Sequence, residues 1–404
     1  MTAAPTAVRI TSIDDALEVA AQLSEEFAGD AARRDAEREL PHAQIRQLAA
    51  SGLLAVTVPR AYGGLDVPFE VVAEIFRLLA AGDPSIGQIP QSHFTFLEAL
   101  RTQGSPDQQR FFYGEVLSGA LLANAQSERG PHPINVDTTV LTRIGEDYVL
   151  SGRKFYSTGA LFADWIMVRA SLFEGPGTPD ASTPKAVAFV PRDTEGLTIV
   201  DDWDGMGQRT TASGTVTLDH VVVPASSVVP YSPVFAGPNT YGSQAQLVHT
   251  AIDVGIATGA LREAVVQAGR ARPHFEANVA RATDDPLLVQ IAGEVTVTVR
   301  AAQALLSVAA RAVDAARADT TDESTAIASI EVATAKVAAA RAAVEAANVL
   351  FELGGTRSAS GAANLSRYWR DARTHTLHDA TRWKLQHIGR WTLDRTPPPR
   401  HGVI

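Results

Sequence analysis

Four short stretches of the sequence carry residue types that can bind a cofactor or take part in catalysis. In the first, residues 351–361 (FELGGTRSASG), Gly354, Gly355 and Arg357 follow the end of a long apolar pattern. Glycines expose backbone N–H groups and an arginine offers a planar pair of donors, so this combination can bind a phosphate. The alternative is a helix that stops at Gly354 and is followed by a surface arginine, and the stretch taken alone favours that alternative.

The second stretch, residues 152–159 (GRKFYSTG), joins two predicted strands and places an aromatic pair and two hydroxyls between glycines. Such a turn can lie against a flat ring, with Ser157 forming a hydrogen bond to the edge of the ring. An ordinary hairpin loop explains the same residues equally well.

The other two stretches contain histidines. His375 and His378 are three residues apart and would share one face of a helix. A two-histidine metal site is conceivable, but no third ligand stands at metal spacing, so we predict no metal. The alternative is a capping region before a helix that begins at Asp379 or Thr381. His93 lies in an apolar helical pattern, where a lone histidine is more often a hydrogen-bonded core residue than a catalyst.

Composition and missing signatures narrow the function further. The 404 residues include 45 acidic and 35 basic side chains, a net charge of −10 that disfavours nucleic-acid binding. The lack of cysteine excludes thiolate nucleophiles and iron–sulfur clusters, and the nucleophile-elbow, zinc-protease, phosphate-loop and Rossmann patterns are absent. The start of the chain lacks signal-peptide features, and no apolar run approaches the roughly 18 residues of a membrane span. We therefore expect a cytoplasmic protein without membrane association.

The spacing of apolar residues changes twice along the chain and predicts three domains. Helical spacing predicts an N-terminal helical domain over residues 1–118 and a C-terminal four-helix bundle over 239–404, and short β-branched segments predict a β-sandwich or barrel over 119–238. No helical crossover fits between these segments, so we expect an antiparallel sheet. The predicted strands are 138–144, 147–151, 164–170, 185–190, 197–200 and 214–223.

The last domain has a regular seam. Apolar residues recur every seven positions, at Ile330, Val337, Val344 and Phe351, with alanines between them. Alanine lets helices approach closely, so this pattern predicts long antiparallel helices. The alanine-rich faces at 301–316 and 333–347 also indicate packing between subunits, as a homotetramer or a dimer.

Together these features resemble the acyl-CoA dehydrogenase superfamily over nearly the whole chain. The resemblance implies a mainly α-helical fold in which a central antiparallel β domain stands between an N-terminal helical bundle and a C-terminal four-helix bundle that holds a flavin. The motifs that carry it are VPRAYGG (58–64), GMGQRTTAS (205–213), DHVVVP (219–224) and RDAR (370–373).

The sequence differs from the dehydrogenases at the positions of their catalytic residues. A dehydrogenase needs a carboxylate to remove the α-proton of an acyl thioester. Where many members have glutamate this chain has His378 followed by Asp379, and at the alternative position used by some members it has Gln244 and Gln246. The flavin-and-substrate loop of the family is replaced by NAQSERG (124–130). These departures point away from dehydrogenation.

The same regions resemble a flavin monooxygenase branch of that superfamily, which includes dibenzothiophene monooxygenases and sulfur-acquisition oxidoreductases. The similar stretches are KFYSTGALFADW (154–165), DDWDGMGQR (201–209) and RDARTHTLHD (370–379). The resemblance implies a two-component monooxygenase that takes reduced FMN (FMNH2) from a separate NAD(P)H:flavin reductase, with FAD as a possible substitute. Such enzymes form a flavin C4a-hydroperoxide with O2 and insert one oxygen into a small substrate, here an organosulfur compound, with an amine or an aromatic as rivals. The alternatives are an FAD-dependent acyl-CoA dehydrogenase with Asp379 as its base, and a non-catalytic helical assembly protein.

The resemblance also assigns roles to individual residues. His93, Ser157 and His378 would surround the reactive edge of the flavin, where neutral donors can hold bound oxygen without removing its proton. Trp203 and Phe155 would wall the ring and exclude water. The implied flavin contacts come from Asn124, Tyr156, Ser157, Trp203, Gly354, Gly355, Arg357 and His378, and from Arg272, which would reach the phosphate from a neighbouring subunit.

Overall fold

A computed structural model describes residues 7–175 and 177–404, and it confirms the predicted fold class: an N-terminal helical domain, one central sheet and a C-terminal helical domain. Serine caps begin two of the N-terminal helices. The Ser12 hydroxyl accepts from the Asp15 N–H at 3.0 Å, and Ser105 forms a capping box with Gln108. The N-terminal helices are α1 (Ile13–Glu37), α2 (His42–Ala50), α3 (Phe69–Gly82), α4 (Pro84–Gln88), α5 (Gln91–Gln103) and α6 (Pro106–Leu117).

The helical segment that follows Pro84 is broken in two. α4 ends at Gln88 and α5 begins at Gln91, because Pro90 has no N–H to continue the hydrogen bonds of a single helix. The break places Gln88 and His93 on different helices.

The central sheet has eight strands in the order β6-β7-β3-β2-β4-β5-β8, with β1 beside β4. All six predicted strands are present, although β3 is longer than predicted, and the two short strands β1 and β8 were not predicted. The strands are β1 (Leu122–Ala125), β2 (Val140–Ile144), β3 (Asp147–Ser157), β4 (Trp165–Leu172), β5 (Lys185–Pro191), β6 (Leu197–Val200), β7 (Gly214–Val223) and β8 (Val228–Pro230).

Two pairings in this sheet are parallel, which corrects the expectation of antiparallel pairing throughout. β1 pairs with the first half of β4, with Leu122 opposite Trp165, and β2 pairs with its second half, with Val140 opposite Ser171. A parallel pairing needs a long connection, and here intervening strands provide it in place of a helix.

A buried ion cluster fixes β3 just before the turn that follows it. The side chain of Lys154 is fully buried, and its Nζ lies 2.7 Å from Glu128 Oε1 and 2.9 Å from Asp137 Oδ1. Arg169 Nε lies 2.8 Å from the other oxygen of Asp137. The cluster therefore ties β3 and β4 to the irregular segment 126–139.

The C-terminal domain consists of five helices, three of them long. Alanines and small apolar residues of α7, α8 and α9 pack together in the core, as the seven-residue repeat predicts. The helices are α7 (Tyr241–Arg270), α8 (Pro286–Ala318), α9 (Asp322–Gly354), α10 (Ser366–His375) and α11 (Thr381–Asp394).

Helix α8 is long and apolar enough, by length and composition, to cross a membrane, with a mean hydropathy of 1.2 over 18 residues. This corrects the expectation that no stretch reaches that length. One face of α8 packs against α9 and α3, but only 22% of the apolar stretch is buried within the chain. Leu287, Val289 and Val297 are more than half exposed. The helix thus carries an apolar face that nothing in the described chain covers.

Candidate functional site

A series of buried, hydrogen-bonded polar side chains runs through the C-terminal domain from α9 through α7 to α10. Lys336 Nζ lies 2.8 Å from Asp253 Oδ2, and the other oxygen of Asp253 lies 2.5 Å from His375 Nδ1. His375 Nε2 lies 3.2 Å from His249 Nδ1 and 3.1 Å from Gln88 Oε1. Lys336 and Asp253 are completely buried. Buried charges persist only when they are paired, and these are.

The chain of contacts ends at His378, just beyond the end of α10. The rings of His249 and His378 are in contact, tilted by 33° to each other, with centroids 4.0 Å apart. The side chain of His378 is 46% exposed, and its Nδ1 lies 3.5 Å from Asp379 Oδ2. His378 is therefore the member of the cluster that can meet a ligand.

The turn after β3 lies against the same part of the helical domain. Gly159 has a left-handed φ of +81°, and a Cβ at this position would lie 3.1 Å from the carbonyl oxygen of Ile89. Ile89 follows Gln88, whose amide contacts His375. Tyr156 and Ser157, which end β3 and lead into this turn, thus lie near the histidines.

The loop 201–213 approaches α10 from the other side. Gly207 lies against the backbone of Arg370, and the Gln208 N–H donates to Asp371 Oδ1 at 2.6 Å. Trp203 Nε1 donates to the Gln208 carbonyl, and its ring lies 6.3 Å from that of Tyr156. The turn, the loop, α4 and α10 therefore enclose one region, which we call the histidine end.

Several polar atoms at the histidine end are buried without a hydrogen-bond partner among the described residues. They include Ser157 Oγ and both amide atoms of Gln208, whose side chains are 0% and 3% exposed. Gln246 Oε1 and Thr374 Oγ1 share this state. Unpaired buried polar atoms are costly unless a ligand satisfies them, and a flat ring with donors and acceptors at its edge meets that need. The residues present therefore fit a flavin.

Asn124 and His93 approach this region through β1. Asn124 is half-buried on β1, two residues after Leu122, whose N–H donates to His93 Nδ1 at 3.1 Å. His93 Nε2 lies 2.9 Å from the Leu54 carbonyl, and the side chain is fully buried. These two bonds count against the catalytic role predicted for His93, since a ligand would have to break one of them. They match the alternative of a hydrogen-bonded core residue.

Replacing His93 with leucine is expected to destabilise the protein by about 2 kcal/mol, because the Leu122 N–H and the Leu54 carbonyl lose their partner. The substitution also changes the response to acid. Burial lowers the pKa of His93 to about 4, whereas the unfolded value is roughly 6.5. Between these values only the unfolded chain binds the proton, so stability is lost as pH falls.

The thermal unfolding midpoints at pH 7 and pH 5 measure both effects. His93→Leu is expected to show a smaller loss between the two pH values than the wild type does. The exposed His220 on β7 serves as a control, changed to asparagine because its φ of +53° is left-handed. An acid response of His93→Leu equal to that of the wild type would contradict the assignment.

Four predicted phosphate-binding residues lie elsewhere, at what we call the arginine end: Gly354, Gly355, Arg357 and Arg272. Arg357 Nη1 donates to the Arg270 carbonyl at the end of α7, and Arg272 is exposed two residues beyond it. His249 lies 21 residues earlier on the same helix, which is about 30 Å away at 1.5 Å per residue. That separation exceeds the length of FMN. One protomer therefore cannot bring both ends to a single flavin.

Asp379 has the wrong protonation behaviour for a general base. Burial raises the pKa of its carboxyl, but the neighbouring His378 and the positive charges of Lys384 and Lys336 outweigh burial and hold the pKa below its usual range. A base that removes a carbon-bound proton works best with a pKa near neutrality. The start of α7 offers only the buried amides of Gln244 and Gln246. Neither position supports the dehydrogenase alternative.

Sequence reasoning missed His249, Asp253 and Lys336. His249 and Asp253 are four residues apart in the otherwise apolar stretch 247–257, and this spacing on a buried helix was an available signal. Lys336 is one of seven charged residues on an alanine-rich helix, and nothing in its sequence surroundings connects it to either residue.

Comparison with known proteins places this geometry in a family. Models of the N-terminal, middle and C-terminal domains of acyl-CoA dehydrogenase match residues 16–120, 122–221 and 247–383. The chain is 30% identical to a dibenzothiophene monooxygenase of Rhodococcus erythropolis, covering 95% of this chain and 94% of that protein. It is also 30% identical to the probable FMNH2-dependent monooxygenase SfnC of Pseudomonas putida, covering 95% and 96%.

Solved structures show the same relationship. FMN-bound TdsC of Paenibacillus sp. A11-2 superposes with a TM-score of 0.90 at 31% identity and covers 96% of this chain and 100% of that one. The methanesulfinate monooxygenase MsuC of Pseudomonas fluorescens gives a TM-score of 0.87 at 31% identity, covering 96% and 99%. Butyryl-CoA dehydrogenase of Megasphaera elsdenii, at 19% identity and a TM-score of 0.82, shares the fold.

Proposed function

Because the chain belongs to the acyl-CoA dehydrogenase family and is a flavin-dependent monooxygenase of that family, we propose that it uses FMN reduced by a separate NAD(P)H:flavin reductase. With O2 it would oxygenate a small organosulfur compound. The names of the relatives, dibenzothiophene monooxygenase and methanesulfinate monooxygenase, support this class of substrate.

The residues of the histidine end would hold the flavin ring. Ser157 Oγ and the amide of Gln208 have unsatisfied hydrogen-bonding capacity, and Trp203 and Tyr156 would cover the ring and limit water. When bound, reduced flavin supplies the electrons that activate dioxygen. His378 would donate a hydrogen bond to the negative charge that develops on oxygen.

One observation carries the proposal: buried, unpartnered polar atoms at the end of β3 and on the loop 201–213 lie near a histidine cluster in which the neighbouring carboxylate, Asp379, is unsuited to act as a base. This combination favours oxygenation over dehydrogenation, because removal of an α-proton needs a base and binding of oxygen needs hydrogen-bond donors.

The test is to mix the protein with reduced FMN without air, add oxygen and follow flavin absorbance by stopped flow. We expect oxidised flavin to reappear much more slowly than it does in free solution. Reoxidation at the rate of free FMN would contradict the proposal, and bleaching of bound FAD by an acyl-CoA would establish the dehydrogenase instead. Product analysis with dibenzothiophene, indole and a simple amine then tests the class of substrate.

The separation of the two ends supports a site shared between protomers. We propose that the arginine end of one protomer binds the phosphate of FMN whose ring lies at the histidine end of another, within a homotetramer. The exposed apolar face of α8 supports such packing, whereas most alanines of 333–347, where the sequence predicts packing between subunits, are buried within the protomer against α7 and α8. In this arrangement Arg357 as well as Arg272 would act across the subunit boundary.

Mixing two inactive variants tests the shared site. Arg357→Met is expected to weaken FMN binding about tenfold or more, through loss of a charge-assisted hydrogen bond, and Ser157→Ala is expected to impair the ring site. If the two are co-expressed, about a quarter of the sites regain both intact ends. Activity of the mixture above that of either variant is the expected result.

Arg341→Met, on an exposed position of α9, is the control for removing an arginine. Its FMN affinity is expected to equal that of the wild type. A mixture of the two variants that is no more active than their average would show that each protomer binds FMN alone.

A further inference from the structure

The buried pair of Lys336 and Asp253 has no part in the oxygenation described so far, yet it lies at the head of the contacts that lead to His378. Both side chains are completely buried and bonded to each other at 2.8 Å. A buried ion pair is an expensive way to stabilise a helical bundle, because apolar residues of the same size usually do as well or better. Because Asp253 contacts His375, the ion pair can instead influence the protonation of that histidine.

Counting protons along the chain fixes the tautomers. With Asp253 ionised, the Nδ1–H of His375 donates to it at 2.5 Å. The Nε2 of a neutral His375 then accepts from the Nδ1–H of His249 at 3.2 Å. Gln88 Oε1 lies 3.1 Å from the same Nε2, and with its amide turned to present the nitrogen, which has the same shape, Gln88 would share that lone pair with the His249 N–H.

Charge balance keeps both rings neutral. Asp253 alone would favour a protonated His375, but Lys336 cancels that charge at 2.8 Å. Burial lowers the pKa of His375, and it lowers that of His249 well below its usual value, with the charge of His378 acting in the same direction. The charged and titratable groups that face these rings and His378 are Asp253 and His249 on α7, Lys336 on α9, His375 on α10, Asp379 beside His378, and Lys384 on α11, with His401 next to Lys384.

We propose that Lys336 and Asp253 are positioning residues, which hold His375 and His249 neutral in fixed tautomers and so set the pH range over which His378 serves the flavin. The ring of His249, whose centroid lies 4.0 Å from that of His378, transmits the effect. A cationic His249 would repel a protonated His378, whereas a neutral ring leaves it free to carry a proton. The role of His378 rests on the proposed function, whereas the charge balance stands on the geometry alone.

Two single variants change the net charge beside His375 in opposite directions, and the double variant removes both charges. Lys336→Met leaves Asp253 uncompensated, so the acidic limb of the pH–rate profile is expected to move up by roughly one pH unit or more. Asp253→Asn leaves Lys336 uncompensated, and the limb is expected to move down. The double variant, which removes both charges and keeps the volumes, is expected to return the limb close to its wild-type position.

The unfolding midpoint of the flavin-free protein gives an independent reading. In Lys336→Met we expect the pKa of His375 in the folded state to lie above its unfolded value. Protonation of His375 then stabilises the folded variant at low pH, and this stabilisation is lost as pH rises. The gap between the variant and wild-type midpoints is therefore expected to shrink as pH falls from about 8 to about 6. A merely structural ion pair would leave that gap constant.

The outcomes separate the two proposals. The positioning role of Lys336 and Asp253 would be overturned by a gap between the midpoints that stays constant with pH. It would also be overturned by acidic limbs that coincide in the wild type and all variants. If Lys336→Met does not fold, Asp253→Asn and the double variant still test the direction of the shift. If the wild type shows no flavin-dependent activity, the proposed function fails, and so does the proposed role of His378. The unfolding midpoints would still decide whether Lys336 and Asp253 keep His375 neutral.

Discussion

His378→Ala is expected to lower the rate of substrate oxygenation about a hundredfold, because removal of one preorganised donor to a developing oxygen charge commonly costs that much. The fold should survive, since the side chain is 46% exposed and its main contact is the ring of His249. The variant should still consume reduced FMN and oxygen, but release more hydrogen peroxide per product formed. Product yield and peroxide, measured together, check the expectation.

The matched control is His220→Asn. His220 is also an exposed histidine beside an aspartate, 2.6 Å from Asp219, but it lies on β7 at neither end of the proposed flavin site. The His220→Asn variant should form the same amounts of product and hydrogen peroxide as the wild type. If His378→Ala kept the wild-type ratio of product to peroxide, His378 would have no part in the chemistry.

Lys154→Met is expected to destabilise the protein by about 3 kcal/mol and to lower its unfolding midpoint by roughly 3 to 4 °C. The substitution leaves the buried Asp137 with one cationic partner in place of two, and it leaves Glu128 without any ion pair among the described residues. Because Lys154 stands three residues before Ser157, FMN affinity should fall as well. Thermal unfolding and FMN titration measure the two effects.

Arg153→Met provides the comparison one residue away, on the exposed side of the same strand. Its guanidinium lies over the Phe155 ring at the surface, 5.1 Å from the centroid, so its removal should change the midpoint little. Equal midpoints for the two variants would mean that the buried cluster adds nothing beyond surface charge.

The fold was predictable because local patterns and global architecture agree. The capping residues at Ser12 and Ser105, the β-branched segments and the seven-residue alanine seam each specify their element without distant partners. No comparable local signal marks β1 and β8, because they are four and three residues long and depend on pairing with neighbouring strands. The parallel pairings escaped prediction for the same reason.

The candidate site was less predictable, because its polar side chains come together only when the domains pack. Asp253 and Lys336 are 83 positions apart, and Gln88 and His375 are 287 apart. The sequence around Gln88 and Lys336 does not distinguish them from other polar residues of their helices, and Asp253 looks like a lone charge in an apolar segment, which is usually a core residue with one local bond. His93 is such a residue, with two backbone partners. Spacing alone cannot distinguish the two cases.

The length of α7 has a thermodynamic consequence for the proposed shared site. A molecule that touches two protomers at once binds only to protein that has assembled, so occupancy and self-association must reinforce each other by the same factor. Dilution would then release FMN before any subunit unfolds, and added FMN would hold the particles together. Sedimentation at low protein concentration, with and without FMN, would reveal that linkage.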